Sequence, residues 1–429
     1  MNPAIKDPID DCVHCGFCLP ACPTYVSWAE EMDSPRGRIY LMKGLRDQTL
    51  SWDSTVAAHF DRCLGCMACV TACPSGVRYD VLIESTRALR ERDVPRPRSD
   101  ALFRRVLFAL FPYPRRLRAL GVLWWIYAAT GLRAWVRRTG ILGRLSPRLA
   151  QLDSLGPDIS LGELLRASPT AIRAEGERRS RVGLLTGCVQ SVFFPRVNDA
   201  TLRVLGKEGY EVVLPEGQGC CGALSLHAGR QEEARAFARR LIRSFEDADV
   251  DRVVVNAAGC GSSLKDYGRL FERDREWAER ARIFSSKVRD VCEFLVEVPA
   301  RAVRLPLHSQ VAYHDACHLK HAQRISSQPR SLLATIPGLV VSEIAEGDQC
   351  CGSAGIYNLI EPASANEIGK RKVENIIRTG ASLLVSANPG CTLHIQRLLR
   401  ERNVALRALH PIEVLDRSLR GEALEREET

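Results

Sequence analysis

Residues 217–228 read GQGCCGALSLHA, and residues 348–358 read DQCCGSAGIYN. Each stretch places two adjacent cysteines before a glycine, and reading outward from either pair meets the same order of features. Cys188 lies 31 intervening residues before Cys220, and Cys260 follows Cys221 after 38. In the second copy Cys317 lies 32 before Cys350, and Cys391 follows Cys351 after 39. Spacing matched to one residue over such a span marks an internal duplication. VGLLTGC (182–188) and VAYHDAC (311–317) each read as a short apolar strand ending at a cysteine. Helical patterns follow (ATLRVLGKEG; PRSLLATIPG), then strands EVVLP and LVVSEI, the Cys-Cys-Gly loops, and longer helices (QEEARAFARRLIRSF; ANEIGKRKVENIIRTG). The last strands, RVVVNA and SLLVSA, run into GCGSSL and GCTLHI.

This order is that of an α/β unit with parallel strands, and such sheets gather ligands at the C-terminal ends of their strands. Cys188, Cys220, Cys221 and Cys260 are therefore expected at one sheet edge, and Cys317, Cys350, Cys351 and Cys391 at another. Nearby helix N-termini would favour thiolate or an anionic cluster. Four thiols of this kind suit metal ligation, although redox-active or structural thiols have the same residues available to them. His314, His318 and His321 surround Cys317 and are further candidates for moving protons or ligating metal. Cys292 falls outside both repeats and reads as a buried core thiol.

The N-terminus carries a second duplication. Cys12, Cys15, Cys18 and Cys22 form a C-x2-C-x2-C-x3-C-P run, repeated as Cys63, Cys66, Cys69 and Cys73. Three cysteines in a tight loop hold three corners of a cubane, and the fourth ligand comes from the other run in two-cluster ferredoxins. That rule assigns one [4Fe–4S] cluster to Cys12, Cys15, Cys18 and Cys73, and the other to Cys63, Cys66, Cys69 and Cys22. Zinc sites use paired C-x2-C halves instead of runs of four ending in Cys-Pro. The insert between the runs has helical apolar spacing at Ile39, Leu41, Met42 and Leu45, as in the helical ferredoxin module of succinate dehydrogenase-type iron–sulfur subunits. Arg36 and Arg38 flank Gly37 and read as surface arginines, with donation to cluster sulfurs as the other reading.

The 429-residue chain has a net charge of +9, and ten arginines with no lysine or acid lie between residues 101 and 152. The rest is close to neutral, which argues against a nucleic-acid binder. Residues 101–149 hold Trp124, Trp125 and Trp135, but their longest uncharged run, 119–132, is too short to span a bilayer. The segment reads as a docking surface for a membrane face or a partner subunit, with helices packed on the protein's own core as the competing reading. Residues 154–179 look like a polar linker ending in a short helix. The N-terminus shows no signal-peptide pattern, so the 17 cysteines are expected in a reducing, cytoplasmic setting, those in x2 spacing as cofactor ligands instead of disulfide partners.

Stretches GCCGALSLHAG, NAAGCGSSLKDYG, YHDACHLKHAQ and QCCGSAGIYNL resemble the cysteine-rich CCG domain of heterodisulfide reductase catalytic subunits. The whole order resembles the iron–sulfur subunits of bacterial glycolate oxidases. The resemblance implies an α+β multidomain chain: a helical ferredoxin-like 2[4Fe–4S] domain (1–95), a basic tryptophan-rich helical connector (96–180), and two repeated α/β CCG units (181–300 and 301–425). It also implies an electron conduit serving an FAD-containing flavoprotein partner that oxidises glycolate, with a membrane quinone as acceptor and a peripheral position on the inner face of the cytoplasmic membrane. Related subunits serve D-lactate, other 2-hydroxy acids and glycerol 3-phosphate. The full CCG motif ends in C-x2-C, whereas Gly261, Ser262 and Ser263 follow Cys260, and Thr392, Leu393 and His394 follow Cys391. One further Fe–S cluster or metal is expected in these units, in the second above the first, with His394 as a substitute for the lost thiolate. A CCG-type thiol–disulfide reductase is the alternative activity. The absence of dinucleotide, P-loop and hydrolase motifs places substrate oxidation in a partner chain.

Overall fold

Runs of valine and leucine bounded by glycine and charge form the strands of the two α/β units in this computed structural model, which describes residues 6–157, 159–166 and 169–424. They are β1 (Ala171–Ile172), β2 (Ser180–Leu185), β3 (Tyr210–Val213), β4 (Arg252–Val255) and β5 (Val288–Asp290) in the first unit. The second unit contributes β6 (Ser309–His314), β7 (Leu339–Glu343), β8 (Leu383–Ser386) and β9 (Arg407–Leu409). The first sheet runs β1-β3-β2-β4-β5 and is parallel except for β1 on the β3 edge; the second runs β7-β6-β8-β9 and is parallel throughout. Counted from β2 and β6, the two orders are the same, so the duplication extends to topology. The central strands are buried along most of their length (Val182 to Leu185; Val311 to His314), as parallel strands covered on both faces must be.

The units do not stand apart. Helix Pro195–Lys207 of the first packs on Pro411–Arg420 of the second, and Val291–Val296 of the first packs on Ser327–Ala334 of the second. This exchange puts Val197, Leu205, Leu295, Leu333, Ile412 and Leu415 into one buried cluster. Each such side chain contributes about 1.5–3 kcal/mol on leaving water, so the two repeats form one body. Cys292 is fully buried in the same cluster.

The N-terminal module is helical. Pro35 opens helix Pro35–Arg46, Ser34 caps it by accepting from Gly37 N at 3.0 Å, and Ile39, Leu41 and Met42 fill the module's core. Gly37 is required at its crossing with the preceding turn, where a Cβ would lie 1.9 Å from Glu31 O.

Helices Arg98–Leu110, Pro114–Ala129, Leu132–Thr139, Ile141–Leu145 and Pro147–Leu155 then fold back over the two units. No described helix is long and apolar enough to cross a membrane. Leu117 is fully buried, and Trp124 Nε1 donates to Pro157 O at 3.1 Å. Arg96, Arg104 and Arg148 converge on Asp100, and Arg137 pairs with Asp153 at 2.6 Å, so part of the arginine excess is neutralised internally. Leu102, Leu123, Trp135 and Leu145 are more than half exposed beside exposed Arg105, Arg115, Arg138 and Arg144. The connector thus packs one face on the protein's own core and leaves another, apolar and arginine-bearing, exposed. The following linker differs from expectation: its short helix is Leu161–Leu165, and its end is β1, which completes the edge of the first sheet.

Candidate metal centres

The two N-terminal cysteine runs adopt the same loop. In each, the second and fourth residues after the first cysteine have positive φ: His14 (55°) and Gly16 (86°), then Gly65 (64°) and Met67 (63°). A left-handed conformation costs a non-glycine residue about 1–2 kcal/mol, and His14 in the first run and Met67 in the second both adopt it, so the two loops keep the same curl at that cost. Such curled backbone turns its amides toward a concave, anion-accepting side.

Cys12, Cys15, Cys18 and Cys73 line one small cavity, with Cys69 behind them. Cys22, Cys63, Cys66 and Cys69 line another. The fourth cysteine of each run thus sits with the first three of the other. The first cavity is near the surface, where Cys15, Val13 and Phe17 are exposed; the second is enclosed. Arg38 overturns the surface reading: it is 1% exposed because Asp33, His59 O and Thr24 Oγ1 hold its guanidinium inside the module. Arg36 remains partly exposed on Glu31, at 2.6 Å. Burial opposes ionisation of Cys63, yet Arg38 and Arg87 outweigh it and hold the thiol below its usual range. Burial pushes Cys18 up to about 11 and Cys66 and Cys69 well above their usual range. Loading a cluster on such thiols must displace protons.

In the α/β units all eight cysteines lie at the C-terminal edges of their sheets. Cys188 Sγ is 3.7 Å from Cys220 Sγ, and Cys221 Sγ is 3.2 Å from Cys260 Sγ. In the second unit Cys317 Sγ is 3.9 Å from Cys350 Sγ, and Cys351 groups with Cys391. Two thiolates bound to one ion at about 2.3 Å stand about 3.8 Å apart in tetrahedral geometry, so the spacing suits metal ligation. The glycine after each pair is needed for its positive φ (78° at Gly222, 89° at Gly352) and for its approach to the long helices Gln231–Asp247 and Pro362–Ile377, at Ala234 O and Ala365 O.

The two sheet edges face each other across a cavity of about 360 Å³, lined by Cys188, Cys220, Cys221 and Cys260 from one side and Cys317 and Cys391 from the other. Phe111, Leu117, Trp124 and Leu155 of the connector roof it. Leu64, Cys66, Cys317, Cys350, Cys351 and Cys391 share one buried cluster, so the inner ferredoxin loop abuts the second unit's thiols.

The histidines take separate roles. His318 Nδ1 is 3.6 Å from Cys317 Sγ, and its Nε2 is 3.2 Å from His227 Nε2. His227 Nδ1 lies 3.6 Å from Glu84 on the ferredoxin module. His321 is structural, bridging Thr71 Oγ1 at 2.7 Å and Asp348 O at 3.1 Å. His394 is not aimed at the thiols: its Nε2 donates to Ala365 O at 3.1 Å, and its Nδ1 faces Asn358 at 3.5 Å. The histidine near Cys351 and Cys391 is His314. Glu84, His227 and Lys372 were missed by sequence reasoning. Only His227, inside the Cys-Cys-Gly stretch, carried a local signal, and it has no counterpart in the second copy.

Residues 8–77 match the family model "4Fe-4S dicluster domain", residues 99–155 match "Glycolate oxidase iron-sulfur subunit, linker region", and residues 182–265 and 311–396 match "Cysteine-rich domain". The probable glycolate oxidase iron–sulfur subunit of Bacillus subtilis is 37% identical over 94% of this chain and 93% of its own length. The glycolate oxidase iron–sulfur subunit of Escherichia coli is 33% identical over 96% of this chain and 94% of its own. Lactate utilization protein A of Shouchella clausii is 33% identical over 55% of this chain and 98% of its own.

Proposed function

The chain belongs to the glycolate oxidase iron–sulfur subunit family, and from that premise we propose that it is the electron-transfer subunit of a 2-hydroxy-acid oxidase complex. In this reading an FAD-containing flavoprotein partner oxidises glycolate to glyoxylate, and electrons pass through this chain toward a membrane quinone. The carrying observation is the succession of thiol sites: one near the surface, a second enclosed, a third abutting the second, and a fourth across the shared cavity.

We assign one [4Fe–4S] cluster to Cys12, Cys15, Cys18 and Cys73 and the other to Cys63, Cys66, Cys69 and Cys22, on modules bounded as the sequence indicates. The donor sets fit, since each cavity presents thiols on left-handed loops, and Arg38 supplies a buried cation beside the inner one. Such clusters supply one-electron transfer when bound, while the C–H chemistry belongs to the flavin. Exposed Val13 and Phe17 beside Cys15 offer an apolar face on which the flavoprotein docks. The exposed apolar and arginine-bearing face of the connector suits the anionic inner face of the cytoplasmic membrane.

Anaerobic purification with the flavoprotein partners, followed by dye or quinone reduction driven by glycolate, D-lactate or glycerol 3-phosphate, tests the reading. Glycolate-dependent reduction should require this chain and fall at least about tenfold in Cys15→Ser, if the outer site is obligatory. Unchanged electron transfer in that variant would refute the conduit. Reduction of a disulfide by the chain alone would favour the reductase alternative.

A further inference from the structure

The two α/β units carry the same four thiols in different surroundings. Aligned on Cys188 and Cys317, His314 stands where the first unit has Leu185; aligned on Cys260 and Cys391, Asn388 stands where it has Ala257. Gly222 and Gly352 pack alike on Ala234 and Ala365, and seven residues beyond those alanines the first unit has Leu241 and the second Lys372. Leu185, Ala257 and Leu241 are all buried, so the first site is bounded by hydrocarbon at these places.

The second site is polar there. Asn388 Nδ2 donates to Cys391 Sγ at 3.4 Å. Lys372 is 2% exposed, donates to Glu346 O at 2.8 Å, and lines a small pocket together with Cys350. His314 is 1% exposed, and neither of its ring nitrogens has a hydrogen-bond partner among the described residues. A buried polar group without a partner is destabilising and rare in folded proteins. One nitrogen of this imidazole lies within 4.8 Å of the Cys351 and Cys391 sulfurs, which themselves lie within that distance of each other. Ligands of one ion, with metal–sulfur and metal–nitrogen bonds of about 2.3 and 2.1 Å, stand about 3.6 Å apart, so an ion among these three atoms would satisfy the orphaned ring.

We propose that His314 is a ligand of a thiophilic metal centre in the second unit, iron within an iron–sulfur centre or zinc, supplementing Cys317, Cys350, Cys351 and Cys391. Imidazole in place of the missing fifth thiolate lowers the negative charge of the ligand set by one, which raises the potential of an iron centre. The inference rests on the reading that this site takes a metal at all.

The test uses the full-length chain, purified anaerobically, as wild type, His314→Leu (the first unit's own residue there), His314→Cys, and Cys350→Ser/Cys351→Ser. Iron, zinc and acid-labile sulfide are quantified before and after a chelator challenge, and pulsed electron paramagnetic resonance looks for nitrogen coupling to any reduced iron centre. The wild type should hold metal beyond the eight irons of two four-iron clusters, as iron with sulfide or as zinc. His314→Leu should keep the eight and lose the excess at least about tenfold faster to chelator. His314→Cys should restore retention without the nitrogen signal, if the metal is iron. Retention of the eight irons reports that each variant has folded. Wild-type retention and spectra in His314→Leu would overturn the proposal. If the cysteine double variant also matches wild type, the underlying reading that the site holds metal fails with it.

Discussion

Replacing Glu84 by glutamine should loosen the seam where the ferredoxin module meets both α/β units, because the ionised carboxylate is buried at that junction. Glu84 lies on helix Tyr79–Asp93, pairs with Arg269 of the first unit, and stands 3.6 Å from His227, which contacts His318 of the second. Burial opposes its ionisation, but His227 and Arg269 outweigh burial and hold the carboxyl at about 2, against a usual value of 4.5. At about 1.4 kcal/mol per pH unit between those values, the charge contributes about 3 kcal/mol to closing the seam. Removing one partner of a buried pair costs about 3–5 kcal/mol, and Arg269 keeps Asp266, so the lower end is expected. Because the folded value is depressed, the contribution is present in full above about pH 4.5 and is lost as pH falls toward 2. Hydrogen–deuterium exchange of residues 79–93, 222–229 and 267–270, corrected for intrinsic rates, reads this opening. Glu84→Gln should exchange on the order of a hundredfold faster at pH 7 and converge with wild type as pH approaches 2. A change below about threefold at pH 7, or a gap that persists undiminished toward pH 2, would refute the reasoning.

Cys73→Ser should cost the same four-iron cluster as Cys15→Ser, and the double variant no more, whereas Cys22→Ser should cost the other; iron counts and the two resonance signals check the crossed assignment. Arg38→Gln removes the buried cation beside Cys22 and Cys63, so redox titration should show the inner cluster's potential lowered by on the order of 50 mV. Gly37→Ala forces a Cβ against Glu31 O and should destabilise the ferredoxin module by about 3 kcal/mol, read as earlier thermal loss of cluster absorbance. Leu123→Glu with Trp135→Glu should weaken flotation with anionic vesicles while leaving iron content unchanged, and equal flotation would remove the connector from the membrane contact.

What the sequence made legible was repetition in one dimension. Matched cysteine spacing disclosed both duplications, and strand-end cysteines disclosed the sheet edges on which the thiols gather. What it concealed depended on packing between segments far apart in the chain. Arg38 looks like a surface arginine until Asp33 and His59 close around it, and Glu84 is one acid among several on an amphipathic helix until Arg269 and His227 meet it. His394, three residues after Cys391, stands where the full motif has its last cysteine. In the fold, however, its ring turns to the Ala365 carbonyl of the neighbouring helix. His314 lies on a strand, three residues before Cys317, and only the return of β8 beside β6 brings Cys391 near it. The shared cavity was invisible for the same reason, since its walls come from four separate parts of the chain.

The placement of charge along the succession of sites has a consequence for where electrons come to rest. Adding an electron to a thiolate-bound centre adds negative charge, and burial away from water penalises that addition. The outer site, with exposed Cys15, is relieved by solvent. The inner ferredoxin site is enclosed, and Arg38 compensates. The third site is buried as well, and Lys372, the Asn388 amide and, on the proposed ligation, a neutral imidazole in place of thiolate all favour its reduced state. The fourth has leucines and an alanine where these groups stand. With iron bound as proposed, these groups favour an electron at the second α/β unit, beneath the connector helices, over one at the first. An acceptor drawing on the chain would gain most by entering the cavity against Cys317 and Cys391, so substitutions that fill that side should block turnover more than those beside Cys188 and Cys220.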